Sequence, residues 1–376
     1  MGVSDDTLIK ASRRFFGLNI WGFVSFIIIG IAAIVSVFAY LLAPDSTTDA
    51  NLMHLSIHSQ QPGFTVTMLN LPLPDMTHSN SFSTLFFGDK AQYQEIPISH
   101  FSQTENKLTY HPFQIDGGVP PPITIELSTY KTENANDLIS ERTFILGTDT
   151  YGRDLLSRII IGTRLSFSIG FVAVLISLII GILMGSLAGY FGGKVDVLIS
   201  WIINVTWSIP TLLLVIAITL ALGKGYWQVF IAVGLTMWVE VARVVRGQII
   251  SVKTMPYVTA VRALGFTNFR IITKHILPNI MAPVIVIAAV NFASAILIES
   301  GLSFLGIGAQ PPSASWGSMI KDHYNYIALG KAYLAVVPGT TDPISVLTIR
   351  DFLYKKKCVE KCGKCMENCV ENCVEK

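Results

Sequence analysis

The chain has 376 residues, of which 51% are hydrophobic and only 14% are charged, and its formal net charge is +2. A soluble domain usually carries charge on about a quarter of its residues, so this composition excludes an ordinary soluble protein and favours one whose surface faces lipid. The small net charge gives no support for nucleic-acid binding. All five cysteines lie in the tail after residue 357, so the preceding chain holds neither a disulfide framework nor a thiolate metal site.

Five segments are long and apolar enough to cross a bilayer, which takes about 20 residues in a helix. The basic residues Lys10, Arg13 and Arg14 precede the first segment, which predicts a cytoplasmic N-terminus. Counting spans then places the basic loop at 247–280 in the cytoplasm as well. The predicted spans run approximately over Ile20–Ala43, Leu165–Tyr190, Val195–Leu222, Trp227–Val245 and Met281–Gly301.

The polar segment 44–163 lies between the first two predicted spans and is therefore expected outside the cytoplasm. It contains clusters of proline and glycine, and its stretch Phe64–Met68 alternates apolar and polar residues. These features predict a small, partly β extracytoplasmic insertion. A long disordered loop is the alternative, but the many aromatic and β-branched residues favour folded structure.

The second and third predicted spans carry helix-packing and helix-breaking signals. Gly181, Gly185 and Gly189 follow one another at four-residue spacing, which lets another helix approach closely. Pro210 is expected to kink or interrupt the third span. Such breaks are tolerated where the freed carbonyl groups face protein or a water-filled path.

The stretch 147–166 begins with a polar turn and continues into an apolar stripe. Thr148 or Asp149 is expected to cap a helix in which leucine and isoleucine side chains lie opposite Arg153, Asp154 and Arg158. This pattern predicts a short amphipathic helix at the outer membrane interface. A purely structural connection into the second span is an equally supported alternative.

The loop at 247–280 mixes apolar and basic residues. Its pattern predicts a short helix through Gly265, a turn, and a second helix that ends at Pro278. A loop that faces only water has no need of exposed apolar side chains, so the loop is interpreted as a docking surface for a partner. A helix resting on anionic lipid is the alternative.

Three motifs, in order along residues 147 to 338, resemble those of importer permeases of the ATP-binding-cassette (ABC) class. Thr259-Ala260-Val261 stands at the E-A-A position of the coupling motif, Gly265 at its glycine, and His275-Ile276-Leu277-Pro278 at its end. The stretch 147–166 resembles the G-T-D-x-x-G-R-D signature of the peptide and nickel subgroup. The stretch 298–306 resembles its E-x-x-L-S-F-L-G segment. Within the subgroup, the large loop after the first span resembles the C-type subunit of oligopeptide permeases.

The resemblance implies an all-α polytopic membrane protein with the type I ABC importer transmembrane fold. It also implies roles for individual residues. Contact with the ATPase is expected from Thr259, Ala260, Val261, Arg262, Gly265, His275, Leu277 and Pro278. The interfacial signature comprises Gly147, Asp149, Gly152, Arg153, Asp154, Arg158 and Arg164. A place in the translocation path, or a contact with a partner, is expected for Glu299, Pro210 and Asn291.

Particular residues modify this assignment. Thr259 replaces the glutamate that is usual in the coupling motif, so coupling is expected to depend on shape and on Gly265 more than on charge. His275 is interpreted as a residue next to the docking surface, in preference to a pH switch. Glu240 lies one helical turn before Arg243, which predicts an ion pair between them.

The resemblance implies a permease subunit that imports di- or oligopeptides across a bacterial cytoplasmic membrane. The spans of this subunit are expected to contact the membrane lipid. No phosphate-binding loop occurs, so the chain is not expected to be an enzyme or to hold a cofactor, and ATP would bind to partner subunits. The expected partners are a second permease, two ATP-binding subunits and an extracytoplasmic substrate-binding protein. Nickel or another small solute is the alternative cargo.

The C-terminus departs from the family pattern. A sixth span is expected near Lys331, but the apolar run Ala332–Val337 has six residues and precedes Pro338-Gly339. The predicted divisions are therefore 1–43, 44–163, 164–308, 309–339 and an atypical tail at 340–376.

The tail offers a C-x-x-C pair, Cys362 and Cys365, and thus an alternative function as a membrane-anchored metal or redox protein. An altered terminus, such as a change of reading frame after Gly339, is favoured over a metal site.

Overall fold

The structure is a computed structural model that describes residues 20–341 except 74–80, 116, 117, 119, 131 and 224. Its described residues divide into two compact units. The helical unit comprises residues 20–33 and 167–302, and the sheet unit comprises residues 34–166 and 303–341. The basic residues that predict the N-terminal orientation, and the tail with Cys362 and Cys365, lie outside the described residues.

The helices follow the apolar segments of the sequence, with different boundaries. The α-helices are α1 Ile20–Val37, α2 Ala39–Leu42, α3 Ser81–Phe87, α4 Leu155–Phe191, α5 Gly193–Trp207, α6 Thr211–Leu222, α7 Tyr226–Val252, α8 Pro256–Ala263, α9 Asn268–Arg270, α10 Leu277–Phe304 and α11 Trp316–His323. A π-helical turn, Ile271–Ile276, joins α9 to α10. Short 3-10 helices cover Thr48–Ala50, Leu55–Ile57, Leu127–Tyr130, Ala135–Leu138 and Tyr324–Ile327. Residues 333–341 are also helical.

The sheet unit contains a five-stranded antiparallel sheet. Its strands are β1 Phe64–Pro72, β2 Tyr93–Thr104, β3 Lys107–Pro112, β4 Ile123–Glu126 and β5 Ile139–Phe144. They lie in the order β4-β3-β2-β1-β5, so β1 pairs with both β2 and β5. Alternating side chains of β1, including Leu69 and Leu71, are buried with residues of β2 and β3, as the two-residue period of a strand requires. The strands occupy the segment in which the sequence predicts β-structure.

Among the described residues, three helices are long and apolar enough to cross a membrane. They are α4, α7 and the continuous stretch Asn268–Phe304. A fourth candidate is the pair α5 and α6, which bends by 90° at Ser208-Ile209-Pro210. The third predicted span is therefore not one continuous helix. The first predicted span is also divided, because α1 ends at Val37 and α2 begins at Ala39.

The glycine stripe of α4 packs against α7, which confirms the prediction of close helix packing. A Cβ atom added at Gly181 would lie 2.5 Å from the side chain of Val241, and one added at Gly185 would lie 2.6 Å from the carbonyl oxygen of Ala242. Only hydrogen at these positions permits so close an approach. The helix that carries the following loop is thereby held against α4.

Three helix boundaries differ from the prediction. The expected short interfacial helix is absent, because α4 runs without interruption from Leu155 to Phe191. Pro278 does not end a helix either, since the chain stays helical from Asn268 to Phe304. Likewise, Pro338-Gly339 does not interrupt the helical residues 333–341. A proline inside a helix costs the missing N–H donor, and Pro278 is accommodated by the wider π-helical turn Ile271–Ile276 that precedes it.

Candidate functional site

The loop at 247–280 forms a compact projection of the helical unit, called here the coupling element, residues 256–279. It begins with Pro256 at the first position of α8 and turns at Gly265, whose φ is +80°. The N–H groups of Leu264 and Gly265 donate to the carbonyl groups of Ala260 and Arg262, which closes the end of α8. Glycine is favoured at this turn by the positive φ angle. Lack of space is not the reason, because nothing lies within 4 Å of a Cβ atom added at this position.

The inner side of the coupling element packs against the long helices. Val258, Ile271 and Ile276 are completely buried, in one cluster with Tyr190 of α4 and Ile249 of α7. Burying an aliphatic side chain stabilises by about 1.5 to 3 kcal/mol. The three residues together therefore hold the element to α4 and α7.

Polar contacts support the same attachment. The hydroxyl group of Tyr190 donates to Oδ1 of Asn268 at 2.8 Å. The guanidinium group of Arg262 lies 5.6 Å from the centre of the Tyr190 ring, within the range of a cation–π interaction. Nδ2 of Asn279 donates to the carbonyl oxygen of His275 at 2.7 Å and to the hydroxyl group of Tyr257 at 3.1 Å. The two helices of the element are thus joined to each other and to α4.

The outer side of the element exposes apolar side chains. Leu264 is 74% exposed and Phe269 is 78% exposed. Sequence reasoning did not single out either residue, although each lies next to a turn in a motif that was recognised. Of the predicted coupling residues, those exposed are Thr259, Ala260, Arg262, Gly265 and Pro278, and those partly buried are Val261, His275 and Leu277.

A π-helical turn, Ile271–Ile276, precedes Pro278. Pro278 has no N–H to donate four residues back, and the wider turn before it lets the helix continue. The ring of His275 within this turn stacks on Phe266, with ring centres 5.8 Å apart, and Arg270 lies 4.3 Å from the same Phe266 ring. His275 therefore serves packing within the element.

The break between α5 and α6 lies beside a cavity of about 210 Å³ within the helical unit. Pro210 stands at the N-terminal end of α6, and the cavity lining includes Trp207 and Glu240. The predicted ion pair of Glu240 with Arg243 is absent among the described contacts. Arg243 instead lies 3.6 Å from the centre of the Trp207 ring and donates to Oδ1 of Asn204 at 3.2 Å. Arg243 contacts the Trp207 ring and not the Glu240 carboxylate because α5 places that ring directly under the guanidinium group.

Glu299 and Asn291, both on α10, have no exposed surface. Nδ2 of Asn291 donates to the carbonyl oxygen of Met237 on α7 at 3.4 Å. Both side chains thus lie inside the chain, and neither is on a surface that a partner would touch directly. Their expected role in the translocation path stays a prediction.

The stretch 147–158 forms a sharp connection from β5 into α4, called here the signature turn. Gly147 and Gly152 have φ angles of +78° and +73°. A Cβ atom at Gly147 would overlap the carbonyl group of Gln60, and one at Gly152 would overlap that of His54. Both positions therefore require glycine for its conformation and for its small size.

A buried charge cluster holds the signature turn. The Oδ1 atom of Asp149 accepts hydrogen bonds from the N–H groups of Tyr151 and Arg153 at 2.8 and 2.9 Å, and Oδ2 accepts from Nε of Arg153 at 2.6 Å. Nη1 of Arg153 donates to Asn51 at 3.1 Å. Nε of Arg158 lies 3.7 Å from Oδ2 of Asp149. The acid and both arginines are at most 3% exposed, so the charges stabilise each other away from water.

This burial corrects the prediction of an amphipathic helix whose charged face meets water. Asp154, not Thr148 or Asp149, caps α4, since its carboxylate accepts from the N–H of Ser157 at 3.0 Å. Thr148 instead donates to the carbonyl oxygen of Ile57 at 2.5 Å. Arg164 donates to the carbonyl oxygen of Leu85 at 3.2 Å. The contacts of Thr148 and Arg164 join the turn and α4 to residues far away in the sequence.

His323, at the end of α11, also contacts the signature turn. The N–H of Thr150 donates to Nε2 of His323 at 3.4 Å, and Nδ1 lies 2.6 Å from the carbonyl oxygen of Met319. An Nδ1–H group donating to Met319 leaves Nε2 free to accept, which is the arrangement of a neutral imidazole. Burial lowers the pKa of His323 below its ordinary value, consistent with this form.

Comparisons with known proteins agree on one family. The family described as "Binding-protein-dependent transport system inner membrane component" matches residues 177–341. The dipeptide transport system permease DppC of Bacillus subtilis is 44% identical over 193 residues, which is 51% of this chain and 60% of that protein. The chain thus spans less than two thirds of that relative.

A second curated permease and a solved transporter structure are also similar to this chain, and they differ in how much of each chain is covered. The di/tripeptide transport system permease DppC of Pseudomonas aeruginosa is 43% identical over 207 residues, covering 55% of this chain and 68% of that protein. A solved structure of the MetNI methionine ABC transporter in an inward-facing conformation is 20% identical, covering 52% of this chain and 93% of the other, with a TM-score of 0.44.

Proposed function

Because this chain belongs to the family of binding-protein-dependent transport system inner membrane components, we propose that it is a permease subunit of an ATP-driven importer of di- or oligopeptides. Dipeptide and di/tripeptide permeases among its relatives support the choice of cargo. In this proposal the chain has no catalytic activity of its own, because ATP is hydrolysed by two partner subunits. A second permease and an extracytoplasmic substrate-binding protein complete the importer.

The main support for this function is the structure of the coupling element. Its inner side is held by Val258, Ile271 and Ile276, whereas Leu264 and Phe269 on its outer side are exposed. A monomeric surface has little reason to expose two large apolar side chains around a fixed turn, so this side is proposed to receive the ATPase. Because the inner side is well packed, a displacement of the element would be passed to α4 and α7 instead of being absorbed locally.

The orientation follows from the same assignment. The coupling element must face the cytoplasm to meet the ATPase, which agrees with the positive N-terminal residues and with the basic residues of the loop. The segment 44–163 is then proposed to lie outside the cytoplasm. The nucleotide-driven change needs contacts of the ATPase that differ between the inward-open and outward-open states.

A bulky substitution at Gly265 tests the proposal. Nothing lies within 4 Å of a Cβ atom at this position, so Gly265→Trp points into open space and interferes with a partner more than with the chain itself. The matched control is Gly265→Ala, which has the same unfavourable positive φ without the bulk.

The measurement is peptide uptake per ATP hydrolysed by the importer reconstituted in liposomes. Gly265→Trp is expected to insert normally and to lose at least about tenfold in uptake per ATP, a change of about 1.4 kcal/mol in coupling. Gly265→Ala is expected to stay near the wild type. Equal uptake per ATP in wild type and Gly265→Trp would refute the role of the element.

A further inference from the structure

The sheet unit contains a cavity of about 300 Å³ that the proposed coupling does not use. Its wall combines the signature turn with the segment that follows α10. Its lining includes both cationic and apolar side chains. The cationic ones are Arg153, Arg158 and Lys321, and the apolar ones include Met53, Ala309 and Pro311.

Arg158 is buried without satisfying its donors. The residue is 3% exposed, and its Nη1 atom donates to the carbonyl oxygen of Asp49 at 3.3 Å. Its Nε atom has no hydrogen bond within the described part of the chain, because Asp149 is 3.7 Å away. A buried guanidinium group normally uses its fork of donors fully, since an unpaired buried donor costs free energy. An additional acceptor in the cavity would remove this cost.

Lys321 contributes a third cation to the cavity, beside Arg153 and Arg158. Its Nζ atom lies 2.7 Å from the position of a Cβ at Gly306, so the absence of a side chain at Gly306 makes room for the ammonium group. Within the described residues Lys321 makes no hydrogen bond or ion pair. Asp322 is the one acidic residue of the lining. The nearby Asp149 already accepts three hydrogen bonds from the signature turn. The charged side chains of the lining are thus three cations and one acid, while Asp149 and Asp49 act on Arg158 from outside the lining.

We propose that this cavity binds the C-terminal carboxylate of a short peptide. A carboxylate matches the donor fork of arginine and the ammonium group of lysine. The apolar wall would receive the small side chain next to that carboxylate, which a bare inorganic anion could not use. The choice of a peptide rests on the proposed importer function, whereas the cationic cavity rests on the geometry alone.

The experiment measures binding to the purified full chain in lipid nanodiscs, without ATPase or ATP. The probes are N-acetyl-alanyl-alanine, its C-terminal amide and inorganic phosphate. The acid is expected to bind at least about tenfold more tightly than the amide, because only the acid offers a charged acceptor. Phosphate is expected to be about tenfold weaker than the acid, since it lacks the apolar part.

Two exposed lysines provide the variants. Lys321→Gln is expected to weaken binding of the acid by about tenfold, whereas Lys107→Gln, on β3 and outside the cavity lining, is expected to leave it unchanged. Arg158→Lys, which keeps the charge but loses the fork, is expected to weaken it as well, with the thermal unfolding transition recorded to verify folding.

Three results would overturn the inference: equal binding of acid and amide, binding of phosphate as tight as that of the acid, or full binding by Lys321→Gln. Because ATPase and transport are absent from this measurement, its failure would leave the importer function untouched. Conversely, a failure of peptide uptake in the Gly265 experiment would not change the binding of the blocked dipeptide.

Discussion

The coupling element and the signature turn differ in where their polar side chains lie. In the coupling element, Thr259 and Arg262 are exposed and three aliphatic residues are buried beneath them. In the signature turn the arrangement is reversed, because Asp149 and Arg153 are buried. Two motifs that are equally distinctive in the sequence therefore differ in structure: one has an exposed polar side, and the other buries its charges to fix the fold.

The largest effect should come from breaking the buried charge cluster. Asp149→Asn removes the charge that Arg153 and Arg158 face, and breaking a buried ion pair costs about 3 to 5 kcal/mol. Arg262→Gln in the coupling element should cost less than about 1 kcal/mol, because Arg262 is exposed and the substitution removes its cation–π contact with Tyr190. Thermal unfolding in detergent measures both. Equal losses would show that the two segments do not differ as described.

The second prediction separates the two sides of the coupling element. Ile271→Ala deletes a completely buried side chain and should cost about 2 to 5 kcal/mol. Phe269→Ala deletes a larger side chain that is exposed and should cost less than about 0.5 kcal/mol. Denaturant unfolding of the isolated chain provides the measurement. A large loss from Phe269→Ala would mean that its ring is packed within the chain.

The third prediction compares two glycines with similar backbone angles. Gly152→Ala and Gly265→Ala both place an L-residue at positive φ, which costs about 1 to 2 kcal/mol. Only at Gly152 does the new methyl group also meet a backbone carbonyl group, that of His54. Gly152→Ala should therefore lose at least about 1 to 3 kcal/mol more, as forced overpacking does. Indistinguishable unfolding midpoints would contradict the close contact at Gly152.

The smallest effect is a pH dependence of the sheet unit. Burial lowers the pKa of His323, so the unfolded chain takes up this proton at a higher pH than the folded chain. The stability from this group is complete above the ordinary pKa of 6.5 and decreases as the pH falls below it. His323→Gln should flatten this part of the profile below pH 6.5, as followed by unfolding midpoints. A profile unchanged by the substitution would assign the proton uptake to another group.

Sequence patterns that act locally predicted much of the helical unit. The four-residue glycine spacing correctly indicated close packing, and Pro210 marked the break between α5 and α6. The turn at Gly265 was also placed correctly, because its conformation is set by neighbouring residues. The continuation of the helix through Pro278 was missed, since the preceding π-helical turn leaves no clear signal in the sequence.

Long-range contacts explain most of what the sequence left open. Nothing near Gly152 reveals that His54 lies against it, almost a hundred residues earlier. The pattern of Arg153 and Arg158 around apolar residues is the same whether the charged face meets water or a buried carboxylate. Similarly, the local spacing of Glu240 and Arg243 favoured an ion pair, but Arg243 makes a cation–π contact with Trp207 of another helix.

Photo-crosslinking from the coupling element determines whether the ATPase docks on its exposed side. The five cysteines of the tail are first replaced by serine, and a benzophenone maleimide is attached to Phe269→Cys or, as the control, to Phe87→Cys of the sheet unit. Both phenylalanines are at least 72% exposed, so both sites should be labelled equally. In membranes that contain the whole importer, we expect the label at 269 to crosslink to the ATPase subunit and the label at 87 not to. Crosslinking from 87 alone, or from neither site, would contradict the assignment of the coupling element.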